Sequence, residues 1–169
     1  MAKWSPYIAC DGQVHPLSQF HARIHPFTLP PTTSRPKARQ VQVRASYSMH
    51  CFTRNPEPGE TIRPCQIYCR NPSGRLFSPE RAELGRSLPA IVAGLLERNC
   101  FATDRRNHVL FCPAQLENGD EYAIFFALRT ASPAVEWDAN LMILSAHARR
   151  GFRPGGKPEK FRNLLQRVI

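Results

Sequence analysis

The chain has 169 residues, 42% of them hydrophobic, and a formal charge of +10. That length supports a single domain with its own core, and that apolar content excludes wholesale disorder. Arginine far outnumbers lysine, which favours a polyanionic partner, because guanidinium groups hold phosphate in planar, bidentate fashion.

The first 36 residues are rich in proline and histidine (His15-Pro16, His21, His25-Pro26, Leu29-Pro30-Pro31). Residues before proline are pushed out of the helical region, so residues 1–36 read as an extended arm. Its apolar beads Leu17, Phe20, Ile24, Phe27 and Leu29 predict that it packs onto the domain. Thr32 to Arg39 reads as a basic, exposed linker. Residues 40–150 form the predicted core domain. Val41, Val43, Ala45 and Tyr47 alternate with polar residues, which predicts a half-buried strand continuing through His50 to Arg54. That alternation puts His50 and Phe52 on the face opposite Val41 and Val43. Asn55-Pro56-Glu57-Pro58-Gly59 breaks it, and Ile62 to Arg70 is a second, short strand.

Residues 79–98 predict a kinked helical segment. Ser78 is placed as N-cap and Pro79 at the first helical position; Pro89 divides the segment, with Ser87 capping its second piece. A three-strand antiparallel meander follows: Asn107–Cys112, Glu121–Thr130 and Asn140–Arg149, separated by turn-forming residues. Residues 151–169 are a basic loop and a short terminal amphipathic helix. The fold class is therefore α+β: one domain, an antiparallel sheet of about five strands, the meander packed by the kinked helical segment.

Of the six cysteines, Cys10, Cys51, Cys65, Cys69, Cys100 and Cys112, most are expected to be free and buried. No secretory signal and no membrane-spanning run are seen, so a reducing cytoplasm is the expected compartment and a membrane is not an expected partner. Zinc held by Cys51, Cys65 and Cys69 is an alternative, but Cys65-x-x-x-Cys69 is not the usual zinc spacing. The expectation is no metal and no cofactor.

No motif of high specificity occurs. What remains is a constellation: His50 near Thr53 and Arg54, His108 at the start of the meander, and Ser145, His147 and Arg149 sharing one face at its exit. A histidine working as acid or base beside arginines that hold phosphate is what metal-independent RNA transesterification needs. His50, Ser145, His147 and Arg149 are the catalytic candidates. Arg54, Arg105, Arg106, Arg150, Arg153 and Lys157 are the candidates for holding a nucleic-acid backbone.

The order of helix and three-strand meander, ending in Leu141-Met142-Ile143-Leu144-Ser145-Ala146-His147-Ala148-Arg149, resembles small bacterial ribonuclease toxins of the RelE/BrnT kind over Pro79–Arg150. The His25-Pro26-Phe27 segment and the His50-Cys51-Phe52-Thr53 strand also resemble bacterial proteins of genomic islands and plasmids. The first resemblance implies endoribonuclease activity and an acidic antitoxin-like partner. The sequence therefore carries two functional readings. One is an RNA-interacting ribonuclease of a toxin–antitoxin system, RNA being preferred to DNA. The other is a non-catalytic basic adaptor that binds nucleic acid or an acidic protein.

Overall fold

The computed structural model describes residues 4–69, 74–104, 109–115, 121–148 and 156–169. The chain opens with the short hairpin strands β1 (Tyr7–Ile8) and β2 (Val14–His15), then β3 (Arg23–Leu29) and β4 (Arg39–Tyr47). Next come β5 (Thr53–Arg54), β6 (Ile67–Cys69) and β7 (Arg75–Phe77), followed by helices α1 (Pro79–Leu84) and α2 (Leu88–Ala93). Then follow β8 (Asn99–Asp104), β9 (Val109–Gln115), β10 (Glu121–Thr130), β11 (Ala139–Ala148), β12 (Glu159–Lys160) and α3 (Phe161–Val168).

The predicted α+β domain is what the chain forms. Its body is five strands, β8-β9-β10-β11-β4; β12 extends one edge and β3 the other, giving seven. A small sheet in the order β5-β7-β6 and the β1–β2 hairpin sit beside it. The meander β9–β10–β11 is antiparallel throughout. β4 and β11, however, run parallel, with Val43 opposite Ala139 and Tyr47 opposite Ile143. The crossover between them is 91 residues in the numbering from Ser48 to Asp138, long enough to carry the small sheet, both short helices and the first two meander strands.

Three sequence expectations are revised here. Arg23–Leu29, read as part of an arm, is an edge strand pairing with β4 from Arg23↔Ala45 to Leu29↔Arg39. Pro26 is tolerated because an edge strand has one side with no ladder to donate to. The strand through His50 ends at Tyr47 instead; Met49–Cys51 forms a single 3-10 turn, and only Thr53–Arg54 returns to strand. That turn breaks the alternation, so Phe52 joins the core with Val43 while His50 is exposed. Lastly, Cys10 and Cys65 are bonded in a disulfide, in which Cys51, Cys69, Cys100 and Cys112 take no part. The β1–β2 hairpin brings Cys10 to Cys65 by stacking Tyr7 on Phe77 at 4.0 Å and donating the Tyr7 hydroxyl to the Cys65 carbonyl. With Cys65 bonded, the Cys51, Cys65, Cys69 set cannot supply three thiolates to zinc.

The core lies between one face of the main sheet and the helices. Val41, Val43, Ala45, Tyr122, Ile124, Phe126, Leu141 and Ile143 point into it. Phe161 of α3 closes over Phe126 and Phe27, with ring centroids at 5.8 and 6.1 Å. Full burial of such side chains contributes about 1.5–3 kcal/mol each. The helical segment divides as predicted, with Ser78 accepting from the Arg81 amide and Pro89 in the first turn of α2. Ser87, expected as a cap, instead donates to the Leu84 carbonyl at 2.7 Å. No helix among the described residues is long and apolar enough to cross a membrane.

Between α1 and α2 the backbone of Gly85 lies against the Phe20 ring, where an added Cβ would meet Cζ at 2.3 Å and Cε1 at 2.5 Å. Phe20 is itself wedged beside Tyr47 and Phe52, so it has little room to move. Gly85→Ala is therefore expected to destabilise the fold by about 1–3 kcal/mol through overpacking. Gly94→Ala, whose Cβ would meet only backbone oxygens at 3.8 Å, is expected to change stability far less. Urea unfolding of the two variants checks the contrast.

Candidate functional site

The second face of the main sheet is polar and partly exposed. From β4 it carries Gln42, Arg44 and Ser46, with Ser48 just past its end; from β11 it carries Asn140, Met142, Ser145 and His147. The change from even to odd numbers along β11 is the mark of a β-bulge. Phe126 pairs with Ile143 and Phe125 with Ser145, so Leu144 is the extra residue. Without it, strict alternation from Leu141 and Ile143 would turn Ser145 and His147 into the core.

Ser48 ties this bulge to the end of β4. Its amide donates to the Ile143 carbonyl at 2.9 Å, and its hydroxyl donates to the Leu144 carbonyl at 2.7 Å. The same oxygen accepts the His50 amide at 3.1 Å, starting the 3-10 turn. Between β4, this turn and β11 runs a groove of about 680 Å³. Trp4, Met49, Met142 and Leu144 supply its apolar walls; Arg44, Ser46, Ser48, His50 and Ser145 supply its polar groups. Trp4 arrives from the amino-terminal segment, packed edge-on against Phe52 at 5.2 Å, with its carbonyl bonded to the His21 ring at 3.1 Å. Arg44 lies over the Trp137 ring, 5.3 Å from its centroid, and the Trp137 indole donates to Asn140 at 2.9 Å. Among the described residues no carboxylate pairs with Arg44.

Beneath the His50 turn are two arginines that the sequence reading passed over. Arg75 is buried and donates to the Thr53 hydroxyl at 2.7 Å, the Asn55 side chain at 2.6 Å and the Thr53 carbonyl at 3.0 Å. Arg81 donates to the Thr53 carbonyl at 2.8 Å and the His50 carbonyl at 3.2 Å. All of these acceptors are neutral. Partial burial, then the positive charges of Arg75 and Arg81, hold the His50 imidazole below its ordinary value. The surroundings of His50 therefore favour its neutral form. No signal in sequence spacing links Arg75 and Arg81 to His50; the small sheet and α1 bring them there.

Of the other sequence candidates, Ser145 lines the groove with His50. His147 shares Ser145's side of β11 but does not line it; its ring lies nearly parallel to that of Phe125, with centroids 5.8 Å apart. Arg54 is held in a bidentate pair with Glu60, which pulls the Glu60 carboxyl down to about 2, aided by the Glu57 amide. Lys157 is exposed next to β12, four strand spacings or about 19 Å from β11, and so is remote from the groove. Arg105, Arg106, His108, Arg149, Arg150 and Arg153 lie outside the described residues.

Two measurements test this geometry. Ser48→Ala strands the Leu144 carbonyl and the His50 amide, and is expected to cost about 1–3 kcal/mol while broadening the NMR signals of residues 48–51. For His50, the imidazole titration should have its midpoint below the ordinary 6.5. A histidine depressed in the folded state stabilises fully above its unfolded value, and that stability is lost as pH falls through the folded one. Arg81→Gln should move the midpoint upward. An unmoved midpoint would show that Arg81 does not act on the ring.

No curated protein and no solved structure matches the chain, and no match links it to ribonuclease toxins. One family model does match, over residues 7–169, nearly the whole length: the chain belongs to the YjaZ family.

Proposed function

We propose that this protein binds single-stranded RNA across the polar face of its main sheet, centred on the His50 groove. The observation that carries the reading is the groove itself: apolar walls from Trp4 and Met142, with an unpaired Arg44 and several hydroxyls between them. Open sheets that present aromatic and arginine side chains are suited to single strands. Bases stack on the rings, each contributing about 1–3 kcal/mol, and cations follow the phosphates. Trp4 is a half-buried ring at the groove, Trp137 lies on the same side beneath Arg44, and the +10 charge of the chain favours the encounter.

A second reading, metal-independent RNA cleavage, is favoured by one feature. His50 lines the groove with Ser145, and the charges of Arg75 and Arg81 favour its neutral form, the form a general base for 2′-hydroxyl attack requires. Cleavage of this kind also needs an acid for the leaving 5′-oxygen. His147, the other histidine among the catalytic candidates, stacks on Phe125 and does not line the groove. Binding without turnover is therefore the better-supported reading, and an acidic antitoxin-like partner belongs to the second.

Fluorescence anisotropy with a short unstructured RNA tests both. Binding should weaken steeply between about 50 and 200 mM salt, as counterion release requires. Arg44→Ala, which removes a cation, and Met142→Glu, which puts a negative charge in the apolar wall, should each weaken it about tenfold. Unchanged affinity in both variants would remove the groove from the reading. Incubation of the same RNA across pH, beside His50→Ala, separates the alternatives: cleavage that disappears in the variant would establish the enzyme.

A further inference from the structure

We propose that the loop joining β3 to β4 forms a second binding site, for a phosphate monoester. This goes beyond RNA binding on the sheet, because the two places are well separated. The groove lies where β4 ends, at Tyr47, and the loop lies where β4 begins, at Arg39; eight residue steps of strand span about 26 Å. The loop also opens on the side of α3, not on the polar sheet face: Gln166 of α3 lines it, and Arg39 is in the same alternation as the buried Val41.

The site is a pocket of about 200 Å³ whose apolar lining is Leu29 and Pro30. That is below the roughly 300 Å³ at which pockets for larger organic ligands begin, and it suits a single small anion. Arg35, Lys37 and Arg39 stand around it. Arg39 is neutralised by Asp138, Nη2 to Oδ1 at 3.1 Å. No carboxylate pairs with Arg35 or Lys37 among the described residues, so two cations are left unopposed. A phosphate monoester carries about −1.5 to −2 at pH 7 and matches them, whereas a carboxylate or a phosphodiester carries one charge.

The neutral groups fit the same ligand. Thr32, Ser34 and Gln166 add two hydroxyls and a carboxamide to the lining, all able to donate to phosphate oxygens. The loop is ordered before any ligand arrives. Thr32 and Arg35 exchange backbone bonds at 2.8 and 3.1 Å, and the Thr32 hydroxyl accepts the Arg35 amide at 3.1 Å and meets the Ser34 hydroxyl at 3.2 Å. A ligand therefore meets a formed site and does not bear the cost of ordering the segment.

Inorganic phosphate and the 5′-phosphate end of an oligonucleotide share this chemistry. The test is calorimetric titration of the whole protein with inorganic phosphate, with a 5′-phosphorylated trinucleotide and with its 5′-hydroxyl counterpart. The expected result is saturable binding of at least one of the phosphorylated probes. The 5′-hydroxyl counterpart should bind more weakly than the 5′-phosphorylated one wherever the latter binds. Loss of about tenfold or more in affinity is expected in the double variant Arg35→Gln/Lys37→Gln, which removes two charge-assisted donors. Both residues are exposed, so the variant should fold, which circular dichroism verifies; Thr32→Ala/Ser34→Ala should weaken the same probes. Arg44→Ala should leave unchanged the affinity for inorganic phosphate and the advantage of the 5′-phosphorylated over the 5′-hydroxyl trinucleotide, so failure of RNA binding on the sheet and failure here are read separately. No binding of either phosphorylated probe, or binding that the loop variants leave unchanged, would overturn the proposal.

Discussion

Three hydrogen bonds made by Ser48 hold the candidate site together. Its amide and hydroxyl take the carbonyls of Ile143 and Leu144, and the hydroxyl receives the His50 amide. The first two bonds keep β11 beside the chain after β4 has ended, where a regular parallel ladder has no more partners to offer. They also satisfy carbonyls at the Leu144 bulge, which would otherwise be left without ladder partners. The third starts the turn that lifts His50 out of the core while Phe52 goes into it. Strand ending, bulge and turn are one construction, and the groove is the space it leaves.

Charge is distributed with similar economy. Much of the arginine excess is engaged within the chain, partly at its surface: Arg75 and Arg81 bond the carbonyls around Thr53, Arg54 is taken by Glu60, Arg162 by Glu97 and Arg167 by Glu159. A guanidinium serves well in such places because its fork of donors can satisfy several acceptors at fixed angles. Net charge therefore says that the surface is basic without saying where. Arg44 on the sheet and Arg35 in the β3–β4 loop, neither paired with a carboxylate among the described residues, lie toward opposite ends of β4.

The amino-terminal hairpin has a structural part in the site. Its disulfide to Cys65 and its stacking on Phe77 fix it to the small sheet, and the segment preceding it brings Trp4 to the groove wall. The small sheet in turn carries Arg75 beneath His50. The Trp4 wall of the groove is thus secured by covalent and aromatic contacts made beside the same small sheet that tunes His50.

The sequence alone determined the α+β class, the meander, the divided helical segment and the apolar face of α3. Each of these is written in a local period or a local cap, and neighbouring residues suffice to specify it. It also singled out His50 and Ser145, both of which line the groove. Only tertiary structure decided the rest. That β3 is a strand follows from its pairing with β4, which overrides the extended-arm signal of its proline. The parallel pairing of β4 with β11 depends on residues about a hundred positions apart. The Leu144 bulge shifts the side-chain alternation by one, which no periodic pattern anticipates. Arg75 and Arg81 reach His50 through space, and Cys10 reaches Cys65 through the packing of a hairpin. Contacts between distant segments are chosen by how the burial of all elements fits together, and that choice has no local signature.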